Sequence, residues 1–460
     1  MLVRTGLVST VVAAMMLIAG CGTEDGPTAT PEPTVTDPVD EVALPDHDAG
    51  RAAAWVLRLV APDHDGRLTD DDVDRFTTTF LEAIPLAELE VVLAQVRAAG
   101  PWTPTAVEGG EVELVVRITA AETELQMVVT VDDDGRIAGL WFGEPPPQRA
   151  EATSWDGLLD EVDGLEGHVS LLVARVDDGA CAPVDGLPNG SAAGEPLPIG
   201  SMVKLYVLAA VVGAITDGEL AWTDEVTVTD AMRSLPSGRL QDEPDGTAVS
   251  VREAAELMIS ISDNTATDLL IAEVGRDRVE QAFTELGMAD PGRNIPLMTT
   301  RELFHLGWGG GPGLREEWVD ADEEQRRALL ATAPDGPPTV DVRSLLGDPV
   351  WEHGLDWFAT GADLCAAHVG LQRLAGTPAG EPIRDILALN PGVRVDEELW
   401  PHVAFKGGSA PGTMGGSWYA VDADGAATVV VLQAAAPDAA GVIDGVTMVA
   451  VVQDVFRLLP

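Results

Sequence analysis

The chain has 460 residues, and 27 Lys and Arg stand against 76 Asp and Glu, giving a formal net charge of −49. That length allows two or three domains with substantial cores. The charge excludes a phosphate-backbone partner, because each phosphate contact needs a clustered cation, and it leaves a self-repelling surface.

The first segment reads as a targeting signal. Arg4 supplies a positive start, and residues 6–18 are all apolar or small and uncharged. Such a run is too short to span a bilayer and predicts a signal peptide over 1–20. Leu17-Ile18-Ala19-Gly20-Cys21 resembles a bacterial lipobox. By that resemblance Cys21 is diacylated and the protein is extracytoplasmic, anchored to the bacterial cell membrane by lipid only. Residues 21–45 are rich in Pro, Thr and acidic residues, which bury too little surface to fold, and they read as the tether.

Apolar spacing then predicts helices over 48–60 and 70–99, with Thr69 or Asp70 as a cap and Gly100-Pro101 as the stop. Alternating, Val-rich stretches predict strands over 111–118 and 124–131, and a third over 136–142 after Asp133-Asp134-Gly135. Residues 46–145 thus form a small α+β domain, closed by Pro145-Pro146-Pro147. A larger domain over 151–460 follows. Its pattern predicts a strand over 168–176 and a fully apolar, buried helix over 201–215. Further helices fall over 251–261, 265–274, 299–307 and 361–375, strands over 403–406, 418–421 and 427–434, and a closing helix over 441–459. Strand first and strands last suits an α/β (α+β) fold whose sheet joins both ends of the domain. Residues 307–351, rich in Gly, Pro, Glu and Arg, read as a solvated insertion. With Cys21 lipidated, Cys181 and Cys365 remain, and both a disulfide and two buried thiols fit the sequence.

Neither Lys follows a Gly in a phosphate-loop pattern, and H-E-x-x-H, C-x-x-C and G-x-S-x-G are missing. No metal, nucleotide or flavin cofactor is expected. The chemistry lies elsewhere. Of the 27 basic residues only Lys204 and Lys406 are Lys. Arg cannot release its proton in a protein, whereas a buried Lys can.

Ser201-Met202-Val203-Lys204 opens the buried helix, so Ser201 and Lys204 share one face and lie at the positive helix end. A neutral Lys204 could serve as a base for the Ser201 hydroxyl. Ser262-Asp263-Asn264 lies between two helices and offers a hydroxyl and an amide on a turn. Lys406-Gly407-Gly408-Ser409 follows the strand-like Val403-Ala404-Phe405 and leaves room for a ligand along a strand edge. Each motif alone has a bland reading as cap or loop. Together, in this order, they take up both Lys residues of the chain.

S-x-x-K, S-D-N and K-x-G in this order resemble the motif set of the penicillin-recognising serine hydrolases and class A β-lactamases. The two-domain layout is similar to esterase-like β-lactamase-fold proteins of the clavulanic acid cluster type, whose N-terminal domain is likened to steroid isomerases and polyketide cyclases. The run from Trp357 to Cys365 adds to the resemblance. It implies a serine β-lactamase/transpeptidase-like domain with Ser201 as the acylated nucleophile and Lys204 as its base. By the same resemblance Ser262 relays protons, Asn264 positions substrate and Lys406 supplies charge. The Ser201 and Ser409 amides, beside Gly408, form the oxyanion hole.

Two departures stand out. Gly407 replaces the hydroxyl residue that follows the third-motif Lys. Between Gly287 and Thr300 the only carboxylate is Asp290, so the Glu that activates the deacylating water is missing. The expectation is an exported, monomeric serine hydrolase acting on a small ester, amide or β-lactam, with weak β-lactam turnover. The alternatives are a β-lactam-sensitive D-Ala peptidase or transpeptidase, and a non-catalytic scaffold lipoprotein.

Overall fold

The computed structural model describes residues 42–459 except 65–66, 122, 133, 144, 146–148, 185, 188–194, 236, 335–337 and 341–348. The signal peptide, Cys21 and most of the tether lie outside these residues. The chain divides into two compact units, Met1–Gln148 and Arg149–Pro460.

In the first unit α1 (Asp48–Leu59) is capped by His47, whose Nδ1 accepts from the Gly50 amide at 3.2 Å. The helix expected over 70–99 is broken. A 3-10 turn (Asp70–Arg75) leads to extended Phe76, which bridges to Ile137, and α2 (Thr78–Ala83) and α3 (Leu86–Ala99) follow. The break has two causes. Phe76 is buried and stacked on Phe80, 5.2 Å between ring centres, which fixes it in the core rather than on a helix face. Pro85 holds Ile84 extended and starts α3 instead of continuing α2. Four strands, β1 (Thr103–Gly109), β2 (Glu113–Ala120), β3 (Thr123–Val131) and β4 (Ile137–Gly143), pair in sequence order as an antiparallel meander. Strand β1 was not expected; its residues are mostly half-buried and carry no clean alternation.

In the second unit α4 (Trp155–Asp163) precedes β5 (His168–Asp177), β6 (Ala180–Pro183) and the short β7 (Leu197–Pro198). A 3-10 turn (Gly200–Val203) then leads into α5 (Lys204–Thr216), and β8 (Glu225–Thr227) and β9 (Ala248–Ser250) form a two-stranded ribbon. Next come α6 (Val251–Ser260), α7 (Asn264–Val274), α8 (Arg276–Glu285) and α9 (Thr300–Phe304). After them stand α10 (Pro312–Asp320), α11 (Glu323–Leu330), β10 (Phe358–Ala359), α12 (Gly361–Ala375) and α13 (Ile383–Ala388). The chain ends with β11 (His402–Ala410), β12 (Thr413–Val421), β13 (Ala427–Ala435) and α14 (Gly445–Leu458).

The main sheet runs β11-β12-β13-β5-β6, all antiparallel, so strands from both ends of the unit meet at β13–β5. Alternation along β5 decides its two faces. Leu172 and Ala174 join a core with α5 and α12, while Leu171 and Val173 join one with α4 and α14. Both faces are covered, which is why α5 is apolar all round and buried.

The 307–351 segment is not a simple solvated excursion. It contributes α10 and α11, and Trp318, Leu329 and Leu330 enter the main core, with the Trp318 indole donating to Gly354 O at 3.2 Å. The two remaining cysteines form the bridge Cys181–Cys365, 184 residues apart in sequence, which ties edge strand β6 to α12. Closing so long a loop restricts the unfolded chain, so Cys181→Ser is expected to lower stability by about 2–4 kcal/mol. The check is the guanidinium unfolding midpoint, and an unmoved midpoint would deny the bridge any stabilising role.

Candidate active site

Ser201 lies in the 3-10 turn rather than in the α-helix expected from the sequence, and α5 begins at Lys204. Gly200 makes this possible. Its φ of +47° is left-handed, and a side chain there would press on the Ser409 amide at 3.0 Å. Gly408 has the matching constraint: a Cβ on it would lie 2.9 Å from Ser201 N. The two glycines therefore let the Ser201 turn touch β11 and bring the Ser201 and Ser409 backbones side by side. Ser201 is half-buried and Ser409 exposed, so this seam faces solvent.

The buried side of the seam holds both Lys residues. Lys204 is fully buried, and its Nζ lies 2.5 Å from Ser262 O, 3.0 Å from Ser262 Oγ and 2.7 Å from Asn264 Oδ1. Lys406, on β11 and 3 % exposed, reaches Ser262 Oγ at 3.1 Å and Gly407 O at 2.9 Å. The amines thus converge on the Ser262 hydroxyl, not on Ser201 as the motif spacing suggested. Ser201 Oγ is not among the hydrogen-bond partners of Lys204.

Local structure explains the convergence. Ser262 has φ +60°, which turns the chain sharply between α6 and α7. Asp263 caps α7 through Ala266 N at 2.8 Å, and its other oxygen takes the Arg239 and Leu240 amides at 2.7 and 2.9 Å. Ser237 Oγ donates to Ser262 O at 2.8 Å, and Asn264 Nδ2 donates to Leu235 O at 3.0 Å. The segment around Leu235–Leu240 therefore clasps the turn. Beneath it, buried Asp268 accepts from Thr300 N, Thr300 Oγ1 and Arg301 N, at 2.8–2.9 Å. Burial pushes its carboxyl up to about 6 against those donors.

The electrostatics follow from burial. Desolvation draws Lys204 down to about 7, opposed by Asp263 and Asp268. Desolvation, then the charge of Lys204, holds Lys406 well below its ordinary value. Their legs to Ser262 Oγ place the two nitrogens within about 6 Å of each other. Two full charges there repel by roughly 3 kcal/mol at an effective dielectric of about 20. Donor counting agrees. Lys204 Nζ donates to three acceptors, Ser262 O, Ser262 Oγ and Asn264 Oδ1, which take up all three N–H of an ammonium. Lys406 has two acceptors, Ser262 Oγ and Gly407 O, as many as a neutral amine has N–H. The cluster is built to hold one proton fewer than two ammonium groups need.

The departures have structural counterparts. A Cβ at Gly407 would meet the Phe405 ring at 2.9 Å, so that ring occupies the space of the missing hydroxyl side chain. Asp290 is exposed at the start of the 3-10 turn Pro291–Asn294. Sequence reasoning missed the clasp through Ser237 and also Asp356. The latter is a buried carboxyl bonded to Gly200 N, and its one signal was a charge set in the apolar run Leu355–Phe358.

The antiparallel sheet with helices on both faces and the Ser–Lys cluster at its edge strand define a β-lactamase-like domain. Residues 166–307 match the family model described as "Beta-lactamase enzyme family". Residues 44–137 match the model described as "ORF 12 gene product N-terminal". No curated protein matches the chain. Similar solved structures include a β-lactamase from Sphaerobacter thermophilus DSM 20745, at 22% identity and TM-score 0.46 over 67% of this chain and 97% of that one. Another is PBP-A, at 18% identity and TM-score 0.41 over 68% and 97%. A β-lactamase from Chitinophaga pinensis DSM 2588 stands at 17% identity and TM-score 0.42 over 66% and 96%.

Proposed function

We propose that the larger unit is a serine hydrolase that forms an acyl ester on Ser201 from a small ester, amide or β-lactam. It acts as a monomer held outside the cell membrane by lipid on Cys21. The observation that carries this reading is the pair of buried amines sharing one hydroxyl beside the Ser201 turn. When substrate arrives, neutral Lys204 trades one present partner for Ser201 Oγ and takes its proton. The oxygen bonds to the substrate carbonyl carbon, and the Ser201 and Ser409 amides receive the developing oxyanion, each donor worth about 3 kcal/mol. The bond to the leaving group then breaks, and Ser262 hands it a proton that the lysine pair restores.

Intact-mass measurement after exposure to p-nitrophenyl acetate and to benzylpenicillin tests the reading. One acyl mass on Ser201 is expected, and none on Ser201→Ala. Equal labelling of the alanine variant sinks it. With Asp290 as the sole carboxylate between 287 and 300, a β-lactam adduct is expected to persist for hours. The same feature favours a D-Ala peptidase as second reading, tested by D-Ala release from a D-Ala-D-Ala peptide.

A base works only when neutral. With Lys204 drawn down to about 7, the acylation rate is expected to rise with pH through 7 and level off above about 8. A rate constant flat from pH 5.5 to 8.5 would remove Lys204 from the base role.

A further inference from the structure

The turn carrying Ser201 is gripped from two sides. Gly408 of β11 presses on it from one. From the other comes Asp356, 3 % exposed, whose Oδ1 accepts from Gly200 N at 2.8 Å and from Trp357 N at 2.7 Å. The neighbouring backbone is fixed to the same segment. Ile199 N donates to Trp357 O at 2.8 Å, and β7 pairs with β10 through Pro198–Phe358 and Leu197–Ala359. Gly200 sits in the left-handed region, where its peptide plane is set by what its N–H binds. That plane in turn aims the next residue, Ser201.

Asp356 is also costly to keep. Burial pushes its carboxyl up to about 7, against the Gly200, Trp357 and Ile199 amides, and among the described residues no salt bridge reaches it. A buried carboxyl with no cation is unfavourable for stability, and an apolar residue would pack better in the same run.

Taking Ser201 as the acylated residue, we propose that Asp356 is a positioning residue for acylation: its carboxylate holds the Gly200 amide, so that the Ser201 N–H and Oγ meet the same substrate carbonyl. The contact is to backbone, so the effect falls on the rate of the bond-forming step rather than on substrate binding. Ionisation strengthens the acceptor, and the grip tightens as the carboxyl loses its proton.

The test measures acylation by p-nitrophenyl acetate and benzylpenicillin in the full-length protein, across probe concentration and pH. Asp356→Ala is expected to slow saturated acylation at least tenfold, with half-saturation moved less than threefold. Asp356→Asn keeps the Oδ1 acceptor and is expected to stay within threefold of wild type at pH 5.5 and to fall further behind by pH 8.5. Wild-type rates in Asp356→Ala overturn the proposal. Should that variant not fold, a wild-type to Asp356→Asn ratio constant across pH overturns it alone. A wild-type protein that takes no label at all overturns the Ser201 reading and this assignment with it, a result distinct from labelling indifferent to residue 356.

Discussion

Lys204→Arg is expected to slow acylation about a thousandfold, within the range that a positioned general base supplies. The substitution keeps a long cation in place but removes the option of neutrality. Lys204 sits where burial has already drawn its proton off near pH 7. A guanidinium stays charged there, and it offers no lone pair to either hydroxyl. Circular dichroism first establishes that the variant folds. A folded Lys204→Arg protein that labels at the wild-type rate would refute the base role, whatever happened in Ser201→Ala.

Ser262 carries the second large effect, and its backbone allows an unusual control. Its φ of +60° is one that L-residues occupy at a cost of about 1 kcal/mol and Gly does not. Ser262→Gly and Ser262→Ala both delete the hydroxyl, but only the first relieves the strain. The glycine variant is expected to be more stable than the alanine variant by about 1 kcal/mol. Both are expected to lose about a hundredfold or more in acylation by an amide or β-lactam, whose nitrogen must be protonated to leave. Both should lose far less with p-nitrophenyl acetate, whose phenolate leaves without a proton. Equal losses on the two probes would mean that Ser262 shapes the turn and does not move a proton.

Much of the larger unit was readable in the sequence because its signals were strong. The helix at Gly361–Ala375 falls at the expected residues, since Thr360 caps it and its apolar residues keep helical spacing. Strand β5 and the three C-terminal strands lie over the expected residues, although β11 and β12 run well beyond the stretches 403–406 and 418–421. What failed depended on partners far along the chain. The break at Phe76 needs Ile137 and Phe80 to show itself. Residues 312–330 carry enough charge to look solvated, yet Trp318 and Leu330 face inward. The joining of Cys181 to Cys365 required a distance, which spacing cannot supply. In the site, spacing on one helix suggested that Lys204 reaches Ser201. The structure instead points its amine across to Ser262 and Asn264, because the turn between α6 and α7 delivers three acceptors to it. Asp356 went unnoticed because its importance lies in two backbone amides, which no side-chain motif records.

The pairing of β5 with β13 has a consequence for biogenesis. His168–Asp177 finds its neighbour only when Ala427–Ala435 has been synthesised, and Lys406 arrives almost as late. Until then β5 is paired only with the short β6, and its other edge waits for contacts too distant in sequence to close early. Premature termination within the last few dozen codons would then spare most of the helices yet leave an exposed strand edge, making an aggregate rather than a weakened enzyme.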